Sequence, residues 1–190
     1  MYPHLKAAEL SHALLEKLIR PGQTVIDATA GKGHDTLFLA QQVQKEGKVY
    51  AFDVQEEALA YTRQLLAAHG LLEQTELIRD SHVFLRRYVQ EPVSAAIYNL
   101  GYLPGGDKKI ITAADTTLAS LRECMELLAP GGVIAVVVYP GHPGGEQEAA
   151  CVEAYLGNLA APPWYVFSWK RVNHKVPAPY LLMVEKQNCR

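Results

Sequence analysis

Apolar residues recur along this chain in two alternating rhythms, one helical and one extended. Leu5, Ala8, Leu14, Leu15, Leu18 and Ile19 return at helical spacing over residues 5–20 and stop at Pro21-Gly22, which predicts a leading helix laid on one face of a sheet. Gln23 to Asp27 reads as strand one, residues 35–45 as a helix, and Lys48 to Asp53 as strand two. Glu56 to His69 is a helix capped by Gly70, followed by strand three from Thr75 to Asp80 and a short helix over 81–89. Val93 to Asn99 is strand four, and Thr112 to Leu128 is a helix closed by Pro130-Gly131-Gly132. Val133 to Tyr139 is almost continuously apolar, as expected of a central strand buried on both faces. The loop Pro140-Gly-His-Pro-Gly-Gly leads into a helix over 146–159. Trp164 to Val172 and Pro179 to Lys186 have no helix between them and should pair antiparallel. The pattern is that of a single α/β domain over residues 1–190: a seven-stranded, mostly parallel sheet with helices on both faces and a C-terminal antiparallel hairpin.

The chemistry gathers at strand ends. Val25-Ile-Asp27-Ala-Thr29-Ala-Gly31-Lys-Gly33-His34-Asp35-Thr36 runs from a buried strand through a glycine turn into a helix, a cradle for a nucleotide cofactor. Asp27, Asp53 and Asp80 each end a strand, 26 and then 27 residues apart, so one strand–helix unit separates each from the next. All three should line the C-terminal edge of one sheet, where doubly wound folds bind ligands. Asp53, with Gln55 close behind, can accept both ribose hydroxyls of an adenosine cofactor. Both NAD and S-adenosylmethionine satisfy that description. The turn lacks the third small residue of the dinucleotide fingerprint, and an anion at Asp27 would repel a pyrophosphate but attract an ammonium and a sulfonium. S-adenosylmethionine is the expected cofactor, with Asp80, Ser81 and His82 addressing its adenine.

Asp27-Ala-Thr-Ala-Gly-Lys-Gly, then Asp53, Asp80 and Asn99, resembles the Rossmann-like class I methyltransferases over nearly the whole chain. More narrowly, that motif through Thr36, joined to Asn99-Leu-Gly-Tyr-Leu-Pro-Gly-Gly-Asp107, resembles a small bacterial family first labelled rRNA methylases. Its characterised members methylate the amine of 5-aminomethyl-2-thiouridine at the tRNA wobble position. The resemblance implies the fold, the methyl donor, and a tRNA anticodon arm as partner.

Methyl transfer is an in-line displacement, so the enzyme must hold an amine lone pair against the methyl. Asn99 and the Leu100 carbonyl can accept hydrogen bonds from the amine and orient it. Amine methyltransferases with an Asn-Pro-Pro-Tyr loop offer the analogy; here the loop reads Asn-Leu-Gly-Tyr. Tyr102 is a candidate to stack on a splayed-out base, and Asp107 to attract the ammonium or take its proton. Lys108, Lys109, Lys170, Arg171 and Lys175, with Asn173 and His142, form the expected RNA-facing set. His4, His12, Arg86 and Arg87 are expected on solvated helix faces, and Trp164 and Trp169 in strand and core.

Composition narrows the rest. A net charge of −2 excludes a strongly basic coat but not a local patch. The longest apolar run is far below the ~20 residues that span a bilayer, and Met1-Tyr-Pro-His lacks a signal-peptide pattern. Cys124, Cys151 and Cys189 have no CxxC spacing, which suggests a reducing cytoplasm and no metal site. Methylation of rRNA or a small amine stays open, as do an NAD-linked oxidoreductase and a non-catalytic binding module. So does a homodimer, which would help so small a basic surface grip an anticodon arm.

Overall fold

The computed structural model describes residues 6–101, 112–173 and 176–188. Among them lie the strands β1 (Thr24–Asp27), β2 (Lys48–Phe52), β3 (Thr75–Ile78), β4 (Val93–Asn99), β5 (Leu128–Val138), β6 (Trp164–Trp169) and β7 (Tyr180–Lys186). They form one seven-stranded sheet in the order β3-β2-β1-β4-β5-β7-β6. Strands β1 to β5 pair parallel, while β7 runs antiparallel to both β5 and β6. The expected fold and closing hairpin are borne out.

Alternation along β4 shows why the sheet must be covered on both sides. Ala96 and Tyr98 join one apolar cluster with Phe52, Leu121, Ile134 and Val184. Ala95 and Ile97 join the opposite cluster with Leu15, Leu39, Val49, Val137 and Leu181. The helices are α1 (Ala7–Leu15), α2 (His34–Val43), α3 (Glu56–Ala68), α4 (Leu85–Tyr88), α5 (Ala114–Leu127) and α6 (Gly145–Gly157), with a 3₁₀ turn at His82–Phe84 before α4. Residues from α5 and α6 pack into the first cluster, and residues from α1 and α2 into the second. Strand order reverses between the parallel neighbours β1 and β4, so the crevice beyond their C-terminal ends is a topological switch point.

Some boundaries differ from the expected ones. The leading helix ends at Leu15, and residues 16–19 continue as tighter turns that still bury Ile19. Pro130-Gly131-Gly132 lies within β5: Val93 pairs with Leu128, pairing resumes at Ala95 with Val133, and residues 129–132 bulge between. Strand β3 stops at Ile78, leaving Asp80 two residues beyond its end. Trp169, expected in the core, is 41% exposed, beside Phe167 and Tyr165. These three alternate on one face of the edge strand. Helix α1 packs on β7 and β5, whereas the other face of β6 sends Trp164 and Val166 toward the core.

Candidate active site

The turn after β1 is tied on both sides. Ala28 donates to the Ile97 carbonyl of β4, and Ala30 to the Phe52 carbonyl of β2, each at 2.9 Å. Gly31 donates its N–H to Asp53 Oδ2 at 2.9 Å, and Asp53 Oδ1 accepts from Gln55 at 2.9 Å. Asp53 therefore braces the turn as well as facing the crevice, and burial raises its pKa. Each of its oxygens keeps a second lone-pair direction for a ribose hydroxyl. Gly33 opens α2 at φ +82, and a Cβ there would come within 2.8 Å of the Thr62 Cα. Gly33→Ala is expected to cost about 2–5 kcal/mol, from left-handed strain plus a clash with backbone. Urea unfolding of the two proteins measures it.

Asp27 is fully buried. Its Oδ1 accepts from the Thr29 N–H at 3.1 Å and its Oδ2 from the Thr36 hydroxyl at 2.6 Å. Burial first, and then the carboxylate of Asp35, push its pKa up to about 7. With no exposed surface, Asp27 acts on the cradle through the turn it braces and the field it sets. Among the described residues, no lysine or arginine pairs with Asp27, Asp35 or Asp53. Three acids sharing one crevice without a lysine or arginine partner suit a cationic ligand and oppose a pyrophosphate. The donor set fits the sulfonium cofactor expected from sequence.

Asn99 ends β4 beside this turn. Its backbone N–H donates to Thr29 Oγ1 at 2.7 Å, and its side-chain Nδ2 donates to Asp35 Oδ2 at 3.0 Å. The other oxygen of Asp35 is met by His12 Nε2 at 2.6 Å. The His12 ring is stacked on Phe38, with centroids 4.0 Å apart and 6° between the planes. His12 was expected on a solvated face; it instead packs inward from α1 against α2, in contact with a carboxylate of the cradle. No local signal announces this contact, because the partners are 23 residues apart. His34 and Lys32 are exposed at the mouth of the turn, and Thr36 is buried behind it.

Beyond Asn99, Leu100 is buried and donates its N–H to the Val137 carbonyl. The next loop is closed at its base. Gly101 donates to Thr112 Oγ1 at 2.8 Å, and Thr112 donates back to the Gly101 carbonyl at 2.8 Å. The Thr112 hydroxyl in turn donates to Glu148 at 2.8 Å, whose second oxygen accepts from Thr117 at 2.6 Å. Glu148, only 3% exposed, is a supporting residue that sequence reading missed. Tyr102, Asp107, Lys108 and Lys109 lie outside the described residues, as do His174 and Lys175. His142 lies near Gly101, within 3.8 Å of where a Cβ would stand. It also lines an open cleft of about 580 Å³ with Pro140, Gly141 and Pro177.

The outer candidates are more dispersed. Asp80 accepts from the Ser81 N–H at 2.7 Å and from the Tyr88 hydroxyl at 2.8 Å. His82 packs edge-on against Tyr98 with Nδ1 enclosed, and burial pushes its pKa down to about 4. It is therefore a neutral ring near pH 7. Lys170 is bonded to Glu153 and lies over the Tyr180 ring at 4.3 Å, so much of its charge is spent within the protein. Arg171 and Asn173 are exposed. Among the described residues no helix is long and apolar enough to cross a membrane.

Switch-point crevice, acidic strand ends and closing hairpin together define a class I methyltransferase fold. The sequence profile of the family described as "Putative rRNA methylase" matches residues 49–185. The chain belongs to this family. It is 38% identical over 198 residues to the chloroplastic tRNA (mnm(5)s(2)U34)-methyltransferase of Arabidopsis thaliana, covering 99% of this chain and 72% of the relative. Its fold matches an rRNA-methylase structure from Clostridium thermocellum with a TM-score of 0.94 and 37% identity, covering 96% and 98% of the two chains. A Streptococcus mutans methyltransferase, solved in complex with SAH, matches with a TM-score of 0.87 and 38% identity over the same shares.

Proposed function

We propose that this protein is an S-adenosylmethionine-dependent tRNA methyltransferase. Its substrate would be 5-aminomethyl-2-thiouridine at the wobble position and its product 5-methylaminomethyl-2-thiouridine. The observation that carries the reading is Asn99, whose amide is held by Asp35 at a strand end beside an acidic crevice. The printed name of the Arabidopsis relative supports the choice of acceptor.

S-adenosylmethionine, when bound, supplies an electrophilic methyl on a cationic sulfur. Asp53 would hold the ribose, Asp80, Ser81 and His82 the adenine, and the turn from Thr29 to Thr36 the rest. On the acceptor side, Asn99 Oδ1 and the Leu100 carbonyl accept N–H bonds from the amine and turn its lone pair toward the methyl. The amine must first lose the proton it carries near neutral pH. Asp107 is the candidate to draw that proton away, and Tyr102 to stack on the splayed base. His142, Arg171 and Asn173, with Lys108, Lys109 and Lys175, are assigned to the anticodon arm; Lys170 has a lesser part because Glu153 already binds it.

Two measurements test the reading. Purified protein with S-adenosylmethionine should convert the aminomethyl nucleoside in tRNA from cells lacking this enzyme, as read by nucleoside mass spectrometry. The family's rRNA label is the second reading; methyl incorporation into rRNA with none into tRNA would establish it instead. Arg171→Glu should weaken tRNA binding about tenfold at low salt and flatten its salt dependence, while sparing cofactor affinity. The cytoplasm as compartment and a homodimer as active form belong to the same proposal, and light scattering of the tRNA complex gives the stoichiometry.

A further inference from the structure

We propose that His12 is a positioning residue for methyl transfer, acting through Asp35 on the Asn99 amide. The inference rests on the acceptor role given above to Asn99. A carboxylate only accepts hydrogen bonds, so the atom of Asn99 facing Asp35 Oδ2 at 3.0 Å is Nδ2. Oδ1 therefore points the other way, with lone pairs available to an incoming amine. Reversing the amide would set two acceptors against each other and present N–H groups to the amine. The orientation of Asn99 thus depends on where Asp35 holds its second oxygen.

His12 sets that position. It meets Asp35 Oδ1 at 2.6 Å, and because a carboxylate cannot donate, Nε2 carries the hydrogen. The ring cannot easily drift, since it lies flat on Phe38 at 4.0 Å, one turn further along the helix that carries Asp35. Asp35 is 8% exposed, which leaves water little access to replace a lost partner. The row His12, Asp35, Asn99 joins the leading helix to the catalytic strand end. It gives α1 a task beyond covering the sheet.

His12→Ala should lower kcat by between about ten- and a hundredfold, the range for misplacing a reacting group, with KM for both substrates within about threefold. His12→Gln, whose amide can still donate to Asp35, should recover most of the loss. In an Asn99→Ala background the His12→Ala change should have little further effect. A second readout needs no turnover. In the free protein labelled with ¹⁵N, the Asn99 side-chain amide should give two well-separated proton shifts that converge in His12→Ala. The proposal is overturned if His12→Ala keeps wild-type kcat, acts equally in the Asn99→Ala background, or leaves the Asn99 amide shifts unchanged. If Asn99→Ala itself retains full turnover, the acceptor role of Asn99 fails instead, and the amide shifts still report whether His12 orders it.

Discussion

Asn99→Ala is expected to lower methyl transfer to the aminomethyl acceptor by about 10²–10³-fold, with cofactor affinity within about threefold. The size follows from losing both an oriented hydrogen-bond acceptor and the geometry it imposes on the amine. Cofactor affinity should survive because the backbone N–H of Asn99, not its side chain, ties β4 to Thr29. That bond persists in alanine. Asn99→Asp makes the stricter test. It places a second carboxylate against Asp35 in a crevice that already holds three acids, so it should impair folding or cofactor binding as well as turnover. Isothermal titration with S-adenosylmethionine and single-turnover kinetics on tRNA separate the two effects. Full turnover by Asn99→Ala would remove the central residue of the proposed mechanism.

What could be read from sequence was what one strand–helix unit encodes. Asp27 and Asp53 were placed at strand ends because apolar runs stop there, and parallel β3-β2-β1 pairing brings their ends to one edge. Strand β4 runs from Val93 to Asn99 as its hydrophobic pattern says, and this put Asn99 at the crevice. Contacts between distant units left no such trace. His12 reaches Asp35, Glu148 reaches Thr112 and Thr117, and Lys170 reaches Glu153 only after the chain has folded. Each residue has the composition of an ordinary helix or loop position. Trp169 shows the converse error. An aromatic in a strand implies burial on average, but nothing in the sequence says which strand ends up at the edge beyond the reach of α1.

Ionisation is another property that folding, rather than sequence, decides. As a fixed anion, Asp27 would favour a sulfonium at all pH values above the ordinary carboxylate range. Buried and beside Asp35, it has a pKa of about 7 rather than the ordinary 3.8, so near neutrality it is anionic only in part. The cradle is thus poised: a cation bound beside it favours the charged form, and the charged form favours the cation.

That coupling makes Asp27→Asn an instructive substitution, because stability and binding should move in opposite directions. A carboxyl whose pKa is raised on folding binds its proton more tightly in the folded state. Its contribution to stability is present in full below the unfolded pKa and is lost as pH climbs through the folded one. The window here runs from 3.8 to about 7. Three units at ~1.4 kcal/mol each set an upper bound of about 4 kcal/mol on the cost of the buried charge above pH 7. Asparagine removes that charge while its amide still offers Oδ1 to the Thr29 N–H, and the Thr36 hydroxyl can accept from Nδ2. The cofactor-free variant should therefore be more stable than wild type at pH 8, by about 1–4 kcal/mol, and the gap should narrow by more than half toward pH 5, closing only below the unfolded pKa of 3.8. Affinity should fall at the same time. S-adenosylmethionine should lose about tenfold or more, whereas S-adenosylhomocysteine, whose sulfur is uncharged, should lose less. In wild type the preference for the sulfonium should weaken as pH drops below about 7 and Asp27 takes its proton. Urea unfolding at the two pH values and titration with both ligands measure the full pattern. A variant less stable than wild type at pH 8, with no change in the ratio of the two affinities, would mean that Asp27 serves the turn through its hydrogen bonds alone.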